Sequence, residues 1–258
     1  MVRNEADRYL RSALSAWSQI ADIIVALDDG STDATTDLLR EVGADIVHRH
    51  AAQEAWGNES PARAQLWQAA CDTRADWLLF LDADMVPAYS PADLACRDVD
   101  SIAFSLYDLW SWQQPLMYRM DTYWRAHDNP RVWMVRRPTG VPEGGWQWNA
   151  RGLHCGHLPL NLPMRRTLVA PAQYSLLHYG YADTIDRVAK QEQYSCQAAN
   201  LTAFELRHAL SICEVAICAR LPLHATWPLI RGSASSSVPP SGSNNTSSML
   251  ITQPSGAS

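Results

Sequence analysis

The chain has 258 residues, 47% of them hydrophobic and 19% charged, which allows one to two domains and excludes a wholly disordered or fibrous protein. Its 21 basic and 27 acidic side chains leave a formal charge of -6, which argues against a dedicated nucleic-acid binder, because phosphate-tracking surfaces are usually net basic. The charge is uneven: residues 1–100 carry 18 acids and eight arginines, the remainder nine acids and 13 bases, a balance that suits a site holding a cation and then a phosphorylated ligand.

Along residues 5–17, Leu10, Leu14 and Trp17 recur at spacings of four and three, which predicts an amphipathic helix. Residues 22–30 are an apolar, β-branched run that stops at Asp28, Asp29 and Gly30, a buried strand ending in a loop. Residues 31–43 begin with Ser, Thr and Asp and end just before Gly43, a helix with both ends marked. A short strand follows over residues 44–48. Residues 60–71 read as a helix with Ser60 as N-cap and Pro61 in the first turn, and residues 76–85 as a further buried strand ending in carboxylates. Helix and strand thus alternate three times. The pattern predicts an α/β fold, with a mostly parallel sheet flanked by helices and a ligand crevice off the carboxyl ends of the strands.

Residues 101–166 lose that rhythm and are rich in tryptophan, with Trp110, Trp112, Trp124, Trp133, Trp146 and Trp148, which points to long loops and an antiparallel piece. Most of these indoles are expected in the core, where their burial is a large hydrophobic gain; Trp146 and Trp148, at alternate positions, could instead form a sugar platform. Helical character returns over residues 181–200, with Asp183 as cap. Beyond Leu201 the rhythm fades, and from Gly232 onward there are ten serines and no charged residue, so residues 201–258 are expected to be a poorly structured tail. The six cysteines lack paired metal spacing and no signal peptide precedes Arg3, which suggests a cytoplasmic protein. No membrane span is expected: the most apolar stretch, residues 210–230, is broken by Glu214, Arg220, Pro222 and Pro228.

Asp82 and Asp84 stand two apart at an expected strand end, where a side-chain period of two points both carboxylates to one side. Two such carboxylates can clamp one hard cation, Mg²⁺ or Mn²⁺, which in turn holds a diphosphate. Asp28 and Asp29 end the other strand, in position to accept hydrogen bonds from a base or ribose, while Ser31, Thr32 or Asp33 caps the following helix. His154, Cys155 and His157 invite a zinc reading, but no second ligand pair is visible and a polar loop is the better expectation.

Four segments taken together resemble the nucleotide-binding half of a family 2 glycosyltransferase of GT-A fold: VRNEADRYL (residues 2–10), VALDDGSTDATTDLL (25–39), Arg63 in its helix, and DWLLFLDADM (76–85). The likeness continues more loosely through LLHYGYADTIDRVAKQEQY (176–194). It implies transfer of a sugar, with inversion, from a nucleotide-diphosphate donor to a saccharide, lipid-linked or protein acceptor. It also implies a domain over residues 1–200, with a nucleotide-binding part (1–90) and an acceptor part (91–200). Carried over by residue, Asp29 or Asp28 contacts the base, Arg63 and Glu5 lie near the nucleotide, and Asp82 and Asp84 form the D-x-D, with Asp84 the more direct metal ligand. The family's first strand would precede Val2, so most of it is absent from this chain, and the Glu-Asp pair usual after the D-x-D is not found. Inversion requires a general base. The candidates are Glu143, on a Gly- and Trp-flanked loop and slightly preferred, and Asp121; His178 could complete the metal shell or touch the diphosphate. The competing expectation is a degenerate relative that binds nucleotide sugars or carbohydrate without turnover.

Overall fold

The computed structural model describes residues 1–48, 59–95, 98–111, 115–149, 156–196, 201–214 and 216–222. In chain order these form α1 (Leu10–Trp17), β1 (Val25–Asp28), α2 (Thr35–Glu41), β2 (Asp45–His48), α3 (Ser60–Cys71), β3 (Trp77–Leu79), β4 (Met85–Pro87), β5 (Ser101–Phe104), β6 (Leu106–Asp108), β7 (Met117–Arg119), β8 (Arg131–Arg136), β9 (Thr167–Val169), β10 (Leu176–His178), α4 (Thr184–Cys196), α5 (Ala203–Ser211) and β11 (Cys218–Arg220). The chain is α/β, and its first six elements come in the expected order.

Strand β1 pairs in parallel with β2, Val25 opposite Asp45 through Asp28 opposite His48. Alternate side chains of β1 face opposite layers. Ala26 packs with Leu10 and Leu14 of α1 and Leu38 and Leu39 of α2, whereas Leu27 meets Ala62 and Leu66 of α3. Helices therefore cover both faces of the strand that ends at Asp28.

Elsewhere the pairing is mixed, and the parallel share is smaller than the alternation suggested. One sheet runs β3-β8-β5-β9 and another β4-β10-β6; β5 with β9 and β6 with β10 are parallel, while β8 is antiparallel to both β3 and β5, and β10 to β4. The antiparallel piece expected after residue 100 is thus present. The run 76–85 is not one strand. It leaves β3 after Leu79, bends through a turn closed by Met85 N donating to Asp82 O at 3.0 Å, and enters a different sheet as β4. Charged carboxylates are costly inside a sheet covered on both faces, so the chain turns where they occur. The period-two argument for Asp82 and Asp84 therefore does not hold, and the two side chains diverge.

Ordered structure also continues past Leu201. Helix α5 opens on a capping box, with Thr202 Oγ1 accepting from Glu205 N and Glu205 Oε2 accepting from Thr202 N. Ile212 and Leu221 are buried, and β11 pairs with β7. The serine-rich segment lies outside the described residues. Among the described residues no helix is long and apolar enough to cross a membrane, and Cys71, Cys196, Cys213 and Cys218 form no disulfide; Cys96 and Cys155 lie outside them.

Candidate functional site

The ends of β1, β6 and β10 and the Asp82–Asp84 turn open onto one cleft of about 1480 Å³. Its near wall is the loop after β1, laced to residues 2–6. Val2 bridges to Asp28. Asn4 N donates to Ser31 Oγ at 3.0 Å and Asn4 Oδ1 accepts from Thr32 N at 2.8 Å; Glu5 N donates to Thr35 Oγ1 at 2.8 Å. Asp33 Oδ1 accepts from Thr35 N at 3.0 Å, but the N-cap position of the helix is Ala34, not Ser31, Thr32 or Asp33. Gly30 takes φ 74°, a conformation that favours glycine. The two aspartates part company here. Asp28 shapes the turn, its Oδ1 accepting from Ser31 N at 3.0 Å, while Asp29 lines the cleft.

Helix α3 supplies Arg63, 8% exposed, with Nη2 3.1 Å from Asp82 Oδ1 and 3.7 Å from Glu59. On the other side of Asp82, His157 Nε2 lies 3.7 Å from Oδ2 while its ring rests 4.5 Å from that of Trp133. Burial opposes the Asp82 charge, but Arg63 and His157 outweigh it and hold the carboxyl below its usual range.

The centre of the cleft is built by parallel register. His178 of β10 stands opposite Asp108 of β6, so both side chains lie on one face. His178 Nδ1 is 2.7 Å from Asp108 Oδ1, and Nε2 is 3.2 Å from Asp84 Oδ2. Lys190, from α4, donates to the same Asp84 oxygen at 3.1 Å and sits 4.5 Å over the Tyr181 ring. Burial pulls the imidazole down, but Asp84 and the Asp108 hydrogen bond push it up to about 9. Asp84 in turn is held well below the carboxylate range by Lys190 and His178 against the cost of burial.

Beside them, Glu5 Oε1 accepts from Arg8 Nη1 at 3.0 Å. Glu5 Oε2 is buried without a hydrogen-bond partner among the described residues. Burial, only partly offset by Arg8, pushes this carboxyl up to about 7. Arg8 reaches on to Asp186 of α4 at 3.2 Å, and Tyr9 OH donates to the same carboxylate.

Glu5, Asp29, Arg63, Asp82, Asp84 and His178 thus line one cleft. The two expected bases do not. Asp121 is 2.6 Å from Arg119 Nε and accepts from Ile217 N at 3.3 Å; Arg119 itself lies between Trp110 and Trp124, 4.8 and 4.9 Å from their ring centroids. Asp121 neutralises a buried arginine and does not line the cleft. Glu143 is exposed beside Gly144 and Gly145, also away from it. Trp146 and Trp148 turn inward, 5.3 and 6.4 Å from Trp67, and so pack a core cluster rather than presenting a sugar platform. His154 and Cys155 lie outside the described residues. Sequence reasoning missed Arg8, Asp108, His157 and Lys190; the available signal was that Lys190 is the only lysine in the chain.

Among the described residues no three His, Cys, Asp or Glu side chains close on one point as a metal set. A hard cation needs fewer from the protein when phosphates and water supply the rest. Asp84 Oδ2 and His178 Nε2 fit such a cation. A Cβ on Gly180 would lie 2.2 and 2.8 Å from them and 2.1 Å from Lys190 Nζ, so the missing side chain leaves a cradle, and the lysine ammonium stands in it as a cation. Asp108 on Nδ1 is the outer carboxylate that commonly orients a metal-ligating histidine.

No protein-family profile matches the chain, and no curated protein does. Among solved structures it is similar to glucosyl-3-phosphoglycerate synthase from Mycobacterium tuberculosis, in complex with phosphoglyceric acid and in complex with Mn²⁺ and UDP-glucose. Each match has 21% identity over 42% of this chain and 41% of that one, with a TM-score of 0.29. A further structure, described only as a mycobacterial protein, matches with 21% identity over 42% of this chain and 39% of that one, with a TM-score of 0.30. The chain spans about two fifths of the length of these proteins. Likeness this slight carries no argument about activity, which must come from the cleft's own residues.

Proposed function

We propose that the cleft binds a nucleotide-diphosphate sugar together with Mg²⁺ or Mn²⁺ and transfers the sugar to an acceptor hydroxyl with inversion. One observation carries the reading: two acidic segments more than 50 residues apart, Asp28-Asp29 and Asp82-Asp84, meet at a single cleft lined by Asp29, Asp82 and Asp84, and the second pair is held there by Arg63 and Lys190. Its volume exceeds the roughly 300–1,000 Å³ typical of small-ligand pockets, which leaves room for donor and acceptor together.

In this reading Asp29 accepts hydrogen bonds from the base or ribose, as a carboxylate can. Arg63 sits near the nucleotide and keeps Asp82 ionised and aimed. Asp84 and His178 hold the cation, with Asp108 fixing the imidazole. A cation held there would supply positive charge to neutralise the departing diphosphate. Glu5 takes the acceptor proton: its Oε2 has no hydrogen bond to give up among the described residues, and a carboxyl pushed up to about 7 exchanges a proton at neutral pH. This replaces Asp121 and Glu143 in the role expected from the sequence.

Calorimetric titration with UDP and GDP, with and without Mn²⁺, tests the proposal. The expected result is binding that needs the metal and is lost in Asp84→Asn. Absence of binding by a folded sample refutes the donor site, and metal-dependent binding without transfer to any acceptor favours a protein that only carries nucleotide sugars.

A further inference from the structure

Lys190 lines the cleft, yet the proposed reaction leaves it without a role. Its ammonium shares Asp84 Oδ2 with His178, and the space it fills exists only because residue 180 is a glycine. The helix that carries it is fastened to the body largely by polar links. None of the α4 residues is fully buried. Arg8 and Tyr9 reach Asp186, Arg187 Nη1 donates to Tyr181 O at 2.5 Å, and Lys190 reaches Asp84. In the same cleft, Glu5 Oε2 is buried with no hydrogen-bond partner among the described residues, a polar atom placed to face a ligand.

A divalent cation added to the Asp84 oxygen that Lys190 and His178 already share would bring a further positive charge into a crowded buried site, where like charges repel strongly. Lysine is a point charge on a flexible four-carbon stem with three donors, so it can leave one oxygen and meet others a few ångströms away at small cost. We propose that Lys190 is a resident counter-cation of Asp84, displaced when a divalent cation enters, and that the displaced ammonium then binds the diphosphate that arrives with that cation. The second half rests on the donor reading above; the first does not. The metal alone then meets a competitor in the empty cleft, whereas metal and nucleotide together find both charges placed. Lys190 thus couples the two ligands and guards Asp84 when neither is present.

The test is Mn²⁺ binding, read from the electron paramagnetic resonance of the free ion, and UDP binding at saturating Mn²⁺, read by calorimetry. Both are measured on the full chain as wild type, Lys190→Met, Lys190→Gln and Lys190→Arg, with folding checked by circular dichroism. Removing one like charge from beside the cation should tighten Mn²⁺ alone by about ten-fold or more in Lys190→Met and weaken UDP by about as much, while Lys190→Arg keeps the wild-type pattern. A lysine that merely braced α4 would weaken both ligands together. Equal or weaker Mn²⁺ binding by Lys190→Met overturns the displacement, and Lys190→Gln carries the same comparison if that variant does not fold. Tighter Mn²⁺ with no UDP or GDP binding by any variant supports the displacement and overturns both the diphosphate half and the donor reading.

Discussion

Replacing Gly180 by alanine should dismantle the Asp84 cluster without straining the backbone. Gly180 does not adopt a positive φ, so alanine is acceptable there in conformation and the cost is steric. The new Cβ would stand 2.1 Å from Lys190 Nζ, 2.2 Å from Asp84 Oδ2 and 2.8 Å from His178 Nε2, all closer than Cβ atoms come in real proteins. Lys190, at the end of a flexible stem, moves first and its ion pair goes with it. Asp84 has less freedom, since its carbonyl is fixed by Tyr179 N at 2.8 Å. Removing one partner of a buried pair costs about 3–5 kcal/mol, and because His178 stays on Asp84 the lower figure, about 3 kcal/mol, is expected. Urea unfolding at pH 7 reads this as a lower midpoint at unchanged slope. Stability within about 0.5 kcal/mol of wild type, the range of an ordinary surface substitution, would refute the convergence of the three side chains on that point.

Three further substitutions probe the same account. Glu5 keeps its proton up to about 7 when folded against an ordinary 4.5, so the folded state binds the proton more tightly. The stability this confers is full below the ordinary value and is lost as pH rises through about 7, at most about 3 kcal/mol. Glu5→Gln should remove that share of the decline, and an unaltered difference in unfolding free energy between about pH 4.5 and 8 would contradict the assignment. Asp121→Asn leaves Arg119, 2% exposed, without its carboxylate and should cost about 3 kcal/mol while leaving nucleotide affinity alone; lost turnover at unchanged stability would restore Asp121 as a base. Thr202→Ala removes the acceptor for Glu205 N and should cost about 1 kcal/mol, measured by urea unfolding. No change there would mean that the capping box adds nothing to the fold.

The first six elements were legible because each is announced locally, by apolar period and by residues suited to its ends. The bend at Asp82 was not. Residues 76–85 read as one strand, and their division between two sheets is decided by β8 and β10, which lie about 55 and 90 residues beyond the strands they pair with. Asp29, Asp82 and Asp84 were readable for the same reason as the strands, since acids that close an apolar run mark its end. Arg8, Asp108, His157 and Lys190 were not, because they arrive from separate segments and only packing shows where they meet. Asp121 misled because nothing in the spacing reveals that Arg119 turns back onto it between two indoles. Thr202 and Glu205 spell T-x-x-E, a local helix-start signal that the reading of residues 201–258 as a tail passed over.

The central claim is that a nucleotide-diphosphate sugar is turned over at Asp84. Incubation of the protein with UDP-glucose, GDP-mannose, ADP-glucose and dTDP-glucose in the presence of Mn²⁺, with release of nucleoside diphosphate followed by chromatography, tests it most directly. The expected outcome is release from at least one donor by the wild type and none by Asp84→Asn. Intact donors throughout with folded wild-type protein, or equal release by Asp84→Asn, would contradict it.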